Sequence, residues 1–314
     1  MDRQAFLSLP TTEIARRVKE NGPQVCVFTV NGTRRWFALE YGGKAEHSAG
    51  SYFEAVKRRH LEICRLFFDH GVETLLFPAF GKYVVNRGEK YMRVVVEAMT
   101  QLTSHPDYVS FYKSYGVRLR FYGDYRKHLT GTPYASLCDL FDRAGEKALA
   151  AGQRRILVGV FAHNAAETVA ELAVRYYQTH GRTPDIEALV EMYYGEPVPP
   201  VDMFIGFSKF RAFDMPLLST GRESLYFMVS PSLSFTEQQL REILFDYLYT
   251  RRSRKTDYSA LTTDAHASLK TFYDANIGQT VGVGGVHRLS GLWYPLPAVT
   301  LPPGFSESGN DTED

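Results

Sequence analysis

The feature that most constrains this chain is a short, nearly continuous apolar run, Gln24-Val-Cys-Val-Phe-Thr-Val30, that stops at the turn dipeptide Asn31-Gly32. A β-branched run without polar alternation has no face to give to water. It predicts a strand buried on both sides, as in a parallel sheet. Parallel neighbours must be joined by a crossover, usually a helix, and the next residues supply one. Ser51-x-x-Glu54 has the form of a capping box. Phe53, Val56, His60, Ile63 and Phe67 then recur at steps of three and four, the spacing of one buried helical face. Gly71 stands where a helix-ending glycine belongs. Residues 72–80, with Thr-Leu-Leu-Phe at their centre, predict a second strand. Such a strand–helix–strand unit is expected to cross over right-handed.

The alternation continues down the chain. Residues 89–104 and 107–115 predict helices, and Val117-Arg-Leu-Arg-Phe-Tyr122 a strand. Residues 137–150 and 165–177 predict helices on either side of a strand over 155–161. Strands follow over 202–207 and 224–229. Thr236-x-x-Gln239 caps a helix carrying Leu240, Ile243, Leu244, Tyr247 and Leu248. The expected class is α/β: a single domain with a mainly parallel central sheet flanked by helices. No internal repeat or Gly/Ser/Pro linker divides residues 1–300, and 178–201 reads as a long connection. The tail 301–314 is polar and acidic, with no apolar payload, and is expected to be disordered.

Composition narrows the function. A formal net charge of +1 over 314 residues gives no global basic field for nucleic acid. No stretch approaches the roughly 20 apolar residues of a membrane span. Residues 1–10 lack the pattern of a secretory signal. Cys26, Cys64 and Cys138 are far apart and odd in number, which argues against a disulfide framework or a zinc site and suits a reducing cytoplasm. The chain is expected to be soluble and cytoplasmic. Its 20 Tyr and 21 Phe serve first as core. Some could also line a cavity whose ring faces stabilise a cation.

In α/β sheets ligands bind beyond the carboxyl ends of the strands. There the first strand delivers Asn31-Gly32-Thr33-Arg34-Arg35-Trp36-Phe37. Gly32 lets backbone approach an anion, Thr33 adds a hydroxyl, and Arg34 and Arg35 offer forked donors to phosphate oxygens. The segment is no Walker loop. His60, His163 and His287 are isolated in sequence and read as core or surface residues. Asp124 and Asp202 stand at strand boundaries, as backbone-capping groups would. The run Arg251-Arg-Ser-Arg-Lys255 at a helix end complements the helix dipole.

Asn31-Gly-Thr-Arg-Arg-Trp36 resembles the Asp-Gly-Asn-Gly-Arg-Trp segment of cis-prenyltransferases, the undecaprenyl diphosphate synthase superfamily. Other blocks follow in that family's order: Gly71-Val-Glu-Thr-Leu75, Val117 to Asp124, residues 156–167, Asp202-Met-Phe-Ile205 and Arg222-x-Ser224. The match is closer to the divergent branch of tuberculosinol synthase and kolavelool synthase. It is carried by Phe121-Tyr-Gly-Asp-Tyr125, Ala165-Ala-Glu167, Tyr193-Tyr-Gly-Glu196, Phe213-Asp-x-Pro-Leu-Leu-Ser219, Ser224-Leu-Tyr-Phe227 and Asp257-Tyr-Ser-Ala260. The resemblance spans residues 22–294.

It implies a cytoplasmic, homodimeric enzyme that ionises an allylic diphosphate, in this branch a bicyclic diterpenyl diphosphate. Diphosphate binding is assigned to Gly32, Thr33, Arg34, Arg35, Arg222 and Ser224. Catalysis is assigned to Asn31, Arg34, Arg35 and Tyr52. Capture of the cation by water or adenosine, or loss of a proton, are all compatible with it. Condensation of two prenyl diphosphates, or a degenerate subunit that only binds them, are the rival readings. Four departures bear on the chemistry. Gly206 stands where elongating members carry an arginine. Asn31 and Asn164 stand where aspartates are usual, and Lys82-Tyr-Val-Val-Asn86 lacks the acids of an Asp-Asp-x-x-Asp-like stretch. Each of the last three removes negative charge, so a Mg2+ cofactor is weakly supported and no metal ligands are assigned.

Overall fold

The structure, a computed structural model, describes residues 1–42, 49–81, 87–148, 152–251, 258–296 and 299–302. The apolar run becomes strand β1 (Val25–Phe28), every residue of which is buried. Cys26 and Phe28 join a core on one face, while Val25 and Val27 join a second core on the other. Side chains alternate across a strand, so a strand between two helical layers needs apolar residues at every position.

Two short helices, α1 (Arg3–Leu7) and α2 (Thr11–Asn21), precede β1. It is followed by α3 (Thr33–Tyr41), α4 (Ala49–Asp69) and β2 (Thr74–Phe80). Helices Glu89–Ser104 and Pro106–Tyr115 lead to β3 (Val117–Tyr122). Helix Ser136–Ala148 leads to β4 (Arg154–Val160), and helices Ala166–His180 and Ile186–Tyr194 to β5 (Met203–Phe207). β6 (Ser224–Met228) closes the sheet, in the order β3-β4-β2-β1-β5-β6. Every pairing in it is parallel. β1 therefore sits in the middle, between β2 and β5, and its carboxyl end opens at the centre of that edge.

One core packs α4 against the sheet through Phe28, Phe67, Phe77 and Phe235. The Phe67 and Phe235 rings stack at 5.6 Å. The other core joins Val27, Leu76, Leu157 and Phe204 to Tyr193 and Tyr194. Thr236 and Gln239 form the expected capping box at the head of helix Glu237–Phe245.

Two expectations are corrected, and one region carries elements that were not anticipated. The connection over 178–201 contains helix Ile186–Tyr194, capped by the Asp185 carboxylate, which accepts from the Ala188 N–H at 2.9 Å. Gly181, Pro184 and Gly195 punctuate it so closely that its apolar face, Val190, Tyr193 and Tyr194, is masked. Helix α4 opens at Ala49, so Ser51 lies inside its first turn rather than capping it. Glu54 instead pairs with Lys57 at 2.7 Å. Beyond the sheet, helix Thr263–Asn276 and the antiparallel pair β7 (Gly284–Val286) and β8 (Trp293–Pro295) were unexpected. Their residues bury little, so they leave little periodic signal. Of the tail 301–314, residues 303–314 lie outside the described residues, as do Lys82 to Asn86, residues 252–255 and Asp257.

Candidate active site

Chain leaving β1 is tied down before it turns. The Asn31 N–H donates to Ser232 Oγ at 2.6 Å, and Ser232 Oγ and N–H both donate to the Asn31 carbonyl, at 2.8 and 3.1 Å. The Asn31 side chain is exposed. Gly32 then adopts φ 75°, in the left-handed region, where a side chain would be strained. A Cβ there would also sit 3.0 Å from the Phe207 ring and 3.3 Å from Pro231.

Thr33, Arg34 and Arg35 are not a loop, as expected, but the first turn of α3. The difference matters chemically. First-turn N–H groups lack intrahelical partners and carry the positive end of the helix dipole, and Gly32 offers no side chain to cap them. Two exposed guanidiniums flank these amides. Arg35 lies 5.7 Å from the centre of the Phe207 ring, and Arg34 lies 5.3 Å from that of Tyr91. Arg87 reaches the same Tyr91 ring at 5.0 Å. Arg87 and Tyr91 carried no motif in the sequence, and Phe207 only closed the resembling block Asp202 to Phe207. Distant chain brings them beside α3.

Tyr52, on α4, meets this turn directly: its hydroxyl and Thr33 Oγ1 are 2.8 Å apart. Its ring packs edge-on against Phe37 at 5.3 Å. Burial pushes its pKa above the usual tyrosine value, with the Thr33 hydrogen bond and Arg34 opposing. At neutral pH the group is a neutral phenol, able to orient a partner but not to act as a phenolate base. Phe37 and Tyr41 also border a cavity of about 650 Å³ between α3, α4 and helix Pro106–Tyr115, which mixes Leu61 and Phe111 with Glu54, Lys57 and Arg58.

Arg222 and Ser224 are not brought to this place. Ser224 opens β6 at the amino edge of the sheet, level with Met203 and hence with Cys26. Its N–H is taken by the Asp202 carbonyl at 2.9 Å. Asn31 lies five residues further along, roughly 16 Å away at 3.3 Å per strand residue. Strand register separates the two motifs, although sequence order alone made them look like halves of one clamp.

Asp202 and Asp124 behave as sheet-end groups. Asp202 Oδ2 accepts from the N–H groups of Gln24 and Val25 at 2.8 and 2.9 Å, fastening the start of β1 to β5. Asp124 Oδ1 accepts from Thr168 at 2.6 Å. His60 is buried core, 3.0 Å from the Tyr108 hydroxyl. Asn164 is exposed, with φ 58°. A Cβ on Gly206 would stand 2.6 Å from the Phe227 ring, so an aromatic side chain occupies the room an arginine would need.

Among the described residues, the donor set at this turn does not fit a protein-held magnesium. The first turn of α3 has no acidic residue, and its own oxygens, those of Asn31 and Thr33, are neutral. Among the described residues no group of three His, Cys, Asp or Glu gathers in a metal-binding arrangement.

Comparison with known proteins agrees with this architecture. The chain is 40% identical over 296 residues to tuberculosinyl adenosine transferase of Mycobacterium tuberculosis (strain CDC 1551 / Oshkosh), covering 94% of this chain and 98% of the relative. It is 24% identical over 300 residues to (+)-kolavelool synthase of Herpetosiphon aurantiacus, covering 92% and 94% respectively. A probable undecaprenyl diphosphate synthase from Campylobacter jejuni superposes with a TM-score of 0.53 at 15% identity, over 75% of this chain and 98% of its own. Lavandulyl diphosphate synthase from Lavandula x intermedia, in complex with dimethylallyl diphosphate, gives 0.52 at 15% identity, over 79% and 99%. No family model matches the chain.

Proposed function

Because the chain belongs to the family of tuberculosinyl adenosine transferase, built on the cis-prenyltransferase fold, we propose that it ionises a diterpenyl diphosphate and releases diphosphate. The substrate of this reading is allylic and bicyclic. The observation that carries it is the uncapped start of α3, where free amides, Arg34 and Arg35 meet the Thr33–Tyr52 hydrogen bond at the carboxyl end of the central strand.

In the proposed reaction the diphosphate lies on the amides of Gly32 to Arg35, with both guanidiniums against its oxygens. As the allylic carbon–oxygen bond breaks, its electron pair leaves with the diphosphate. The added negative charge is met by donors already in place, which is the main electrostatic route to rate enhancement. The carbocation forms beside the rings of Tyr52 and Phe37, whose faces favour positive charge. Tyr52, neutral and held by Thr33, orients the group that ends the reaction: water to give an alcohol, or adenosine to give a nucleoside adduct. Loss of a proton to the solvent is the third outcome. No step is routed through a metal.

The crowding at Gly206 favours this single-substrate chemistry over condensation of two prenyl diphosphates. The homodimer implied by the family resemblance belongs to the same proposal, and sedimentation velocity on the full chain tests it. The central experiment is product analysis with linear and bicyclic C10–C20 diphosphates, with and without adenosine and with and without magnesium. A terpene alcohol, hydrocarbon or adenosine adduct supports the reading. Consumption of no diphosphate under any condition overturns it in favour of a binding subunit.

A further inference from the structure

We propose that the outer face of the β7–β8 hairpin docks on a phospholipid surface that carries anionic headgroups. Register decides which residues form that face. Gly284 pairs with Pro295, Gly285 with Tyr294 and Val286 with Trp293. The Leu296 N–H extends the ladder to the Val283 carbonyl at 3.0 Å. Side chains alternate across a strand, so Trp293 lies on the face opposite to Val283, Tyr294 and Leu296. The Trp293 ring stands 6.1 Å from that of Phe210, which in turn meets Phe227 of β6 at 4.8 Å. Trp293 also leans over Gly284, where a Cβ would stand 2.3 Å from its ring, and it leaves Val286 exposed. These contacts make the Trp293 side the inner face. The outer face is left to Val283, Tyr294 and Leu296, exposed by 52, 39 and 45%.

A hairpin face turned to water is ordinarily polar. This one is apolar, and the turns at its two ends extend it. Val281 is 70% exposed ahead of β7, and Leu289 is 91% exposed between the strands. The turn that presents Leu289 closes on itself. The His287 N–H donates to the Leu292 carbonyl at 2.8 Å, and the Gly291 N–H to the His287 carbonyl at 2.9 Å. His287 Nδ1 and Ser290 Oγ are 2.8 Å apart. A turn whose backbone groups bond within it can enter the headgroup layer, where unpaired groups are costly.

Exposed apolar patches mark contacts with proteins or membranes, and charge distinguishes the two here. From Ala275 to Pro302 the sequence has no aspartate or glutamate, although 35 of the chain's 314 residues are acidic. Basic groups are kept. Arg288 stands beside Leu289, and Lys209 and Arg211 stand on either side of Phe210. All three are exposed and make no ion pair among the described residues. Asp274, just ahead of the stretch, is paired with Lys270 at 2.6 Å. A surface of lipid phosphates repels carboxylates and attracts such cations, whereas a protein partner, bearing both signs, has no reason to exclude one. The valine and leucine side chains enter the boundary between headgroups and acyl chains. Tyr294 keeps its ring in the apolar layer and its hydroxyl among the headgroups.

Co-sedimentation of the full chain with large unilamellar vesicles tests the assignment, using phosphatidylcholine alone and phosphatidylcholine mixed with phosphatidylglycerol. Binding is expected to both, and more tightly to the mixture. Leu289→Asp should weaken it by about tenfold or more, the scale of losing one buried leucine. Arg288→Glu should weaken it by about fivefold on the anionic vesicles alone. Both side chains are exposed, so neither change should move the melting temperature. Binding needs no substrate, and Arg35→Ala should bind as the wild type does, so failure of the diterpenyl diphosphate reading would leave the result standing. Absence from both kinds of vesicle, or binding indifferent to Leu289→Asp, would overturn the proposal. A dimer that Leu289→Asp dissociates, with no wild-type chain on vesicles, would assign the face to a second copy instead.

Discussion

At the scale of single residues, the informative pair is Asn31 and Arg35. Position 31 carries a side chain free at the surface, while its backbone is locked to Ser232. The residue can therefore be exchanged without disturbing the turn. A carboxylate there would add the ligand type that magnesium prefers. Wild-type turnover is expected to persist in a chelator, whereas Asn31→Asp should acquire a magnesium-stimulated component that the chelator removes. Loss of wild-type activity in the chelator would contradict the metal-free reading. Arg35 is exposed and its side chain holds no structural hydrogen bond. Arg35→Ala should lower kcat/KM by about a hundredfold or more, as loss of a preorganised transition-state donor does, with an unchanged melting temperature. Near-normal turnover would put the diphosphate elsewhere. The two arginines were legible from their place after a buried strand. Their presentation by a helix start was not, because Gly32 reads equally well as a loop glycine until its φ is known.

At the scale of elements, α4 is the joint between core and site. It carries Tyr52 to the first turn of α3 and buries Phe67 against Phe28 and Phe235 about four turns further on. Between them, His60 is buried, 4.7 Å ring to ring from Phe77 and bonded to Tyr108. Burial lowers its pKa from 6.5 to about 4. The folded state thus refuses a proton that the unfolded chain accepts, and stability is full above pH 6.5 and lost as pH falls toward 4. The neighbouring His70 is lowered in the same direction by burial. Between pH 7 and 4.5 the wild type should lose about 2–3 kcal/mol more than His60→Gln, which removes the titration of this one site. Denaturant unfolding at the two pH values measures it, and equal losses would show that His60 is not the acid-sensitive group. The periodicity of α4 was plain in the sequence. Its true start was not, because Ser51-x-x-Glu54 satisfies the capping pattern while Glu54 serves Lys57.

At the scale of the whole molecule, one parallel sheet is shared by two cores, and the C-terminal region reaches the second through the Trp293–Phe210–Phe227 ring contacts. Among the described residues, helix Thr263–Asn276 buries no residue, and β7 and β8 pair only with each other. Local opening follows local burial. Hydrogen exchange should therefore be slowest in β1, β2 and β4 and faster by orders of magnitude over 263–296, with the sheet exchanging as one cooperative unit. Comparable protection in the two regions would mean that the C-terminal region is covered in solution, as the proposed homodimer could do.

The sequence by itself determined the sheet. Burial on both faces demands unbroken apolar runs, and such runs announce themselves without any knowledge of neighbours. It also determined that a basic, glycine-led turn follows the first strand. Tertiary structure alone decided what stands around that turn. Arg87, Tyr91, Phe207 and Ser232 reach α3 from far along the chain, whereas Arg222 and Ser224 are held at the opposite edge. The physical reason is register. Parallel strands place residues by their distance along each strand, and motif order carries no information about which end of the sheet a residue will occupy.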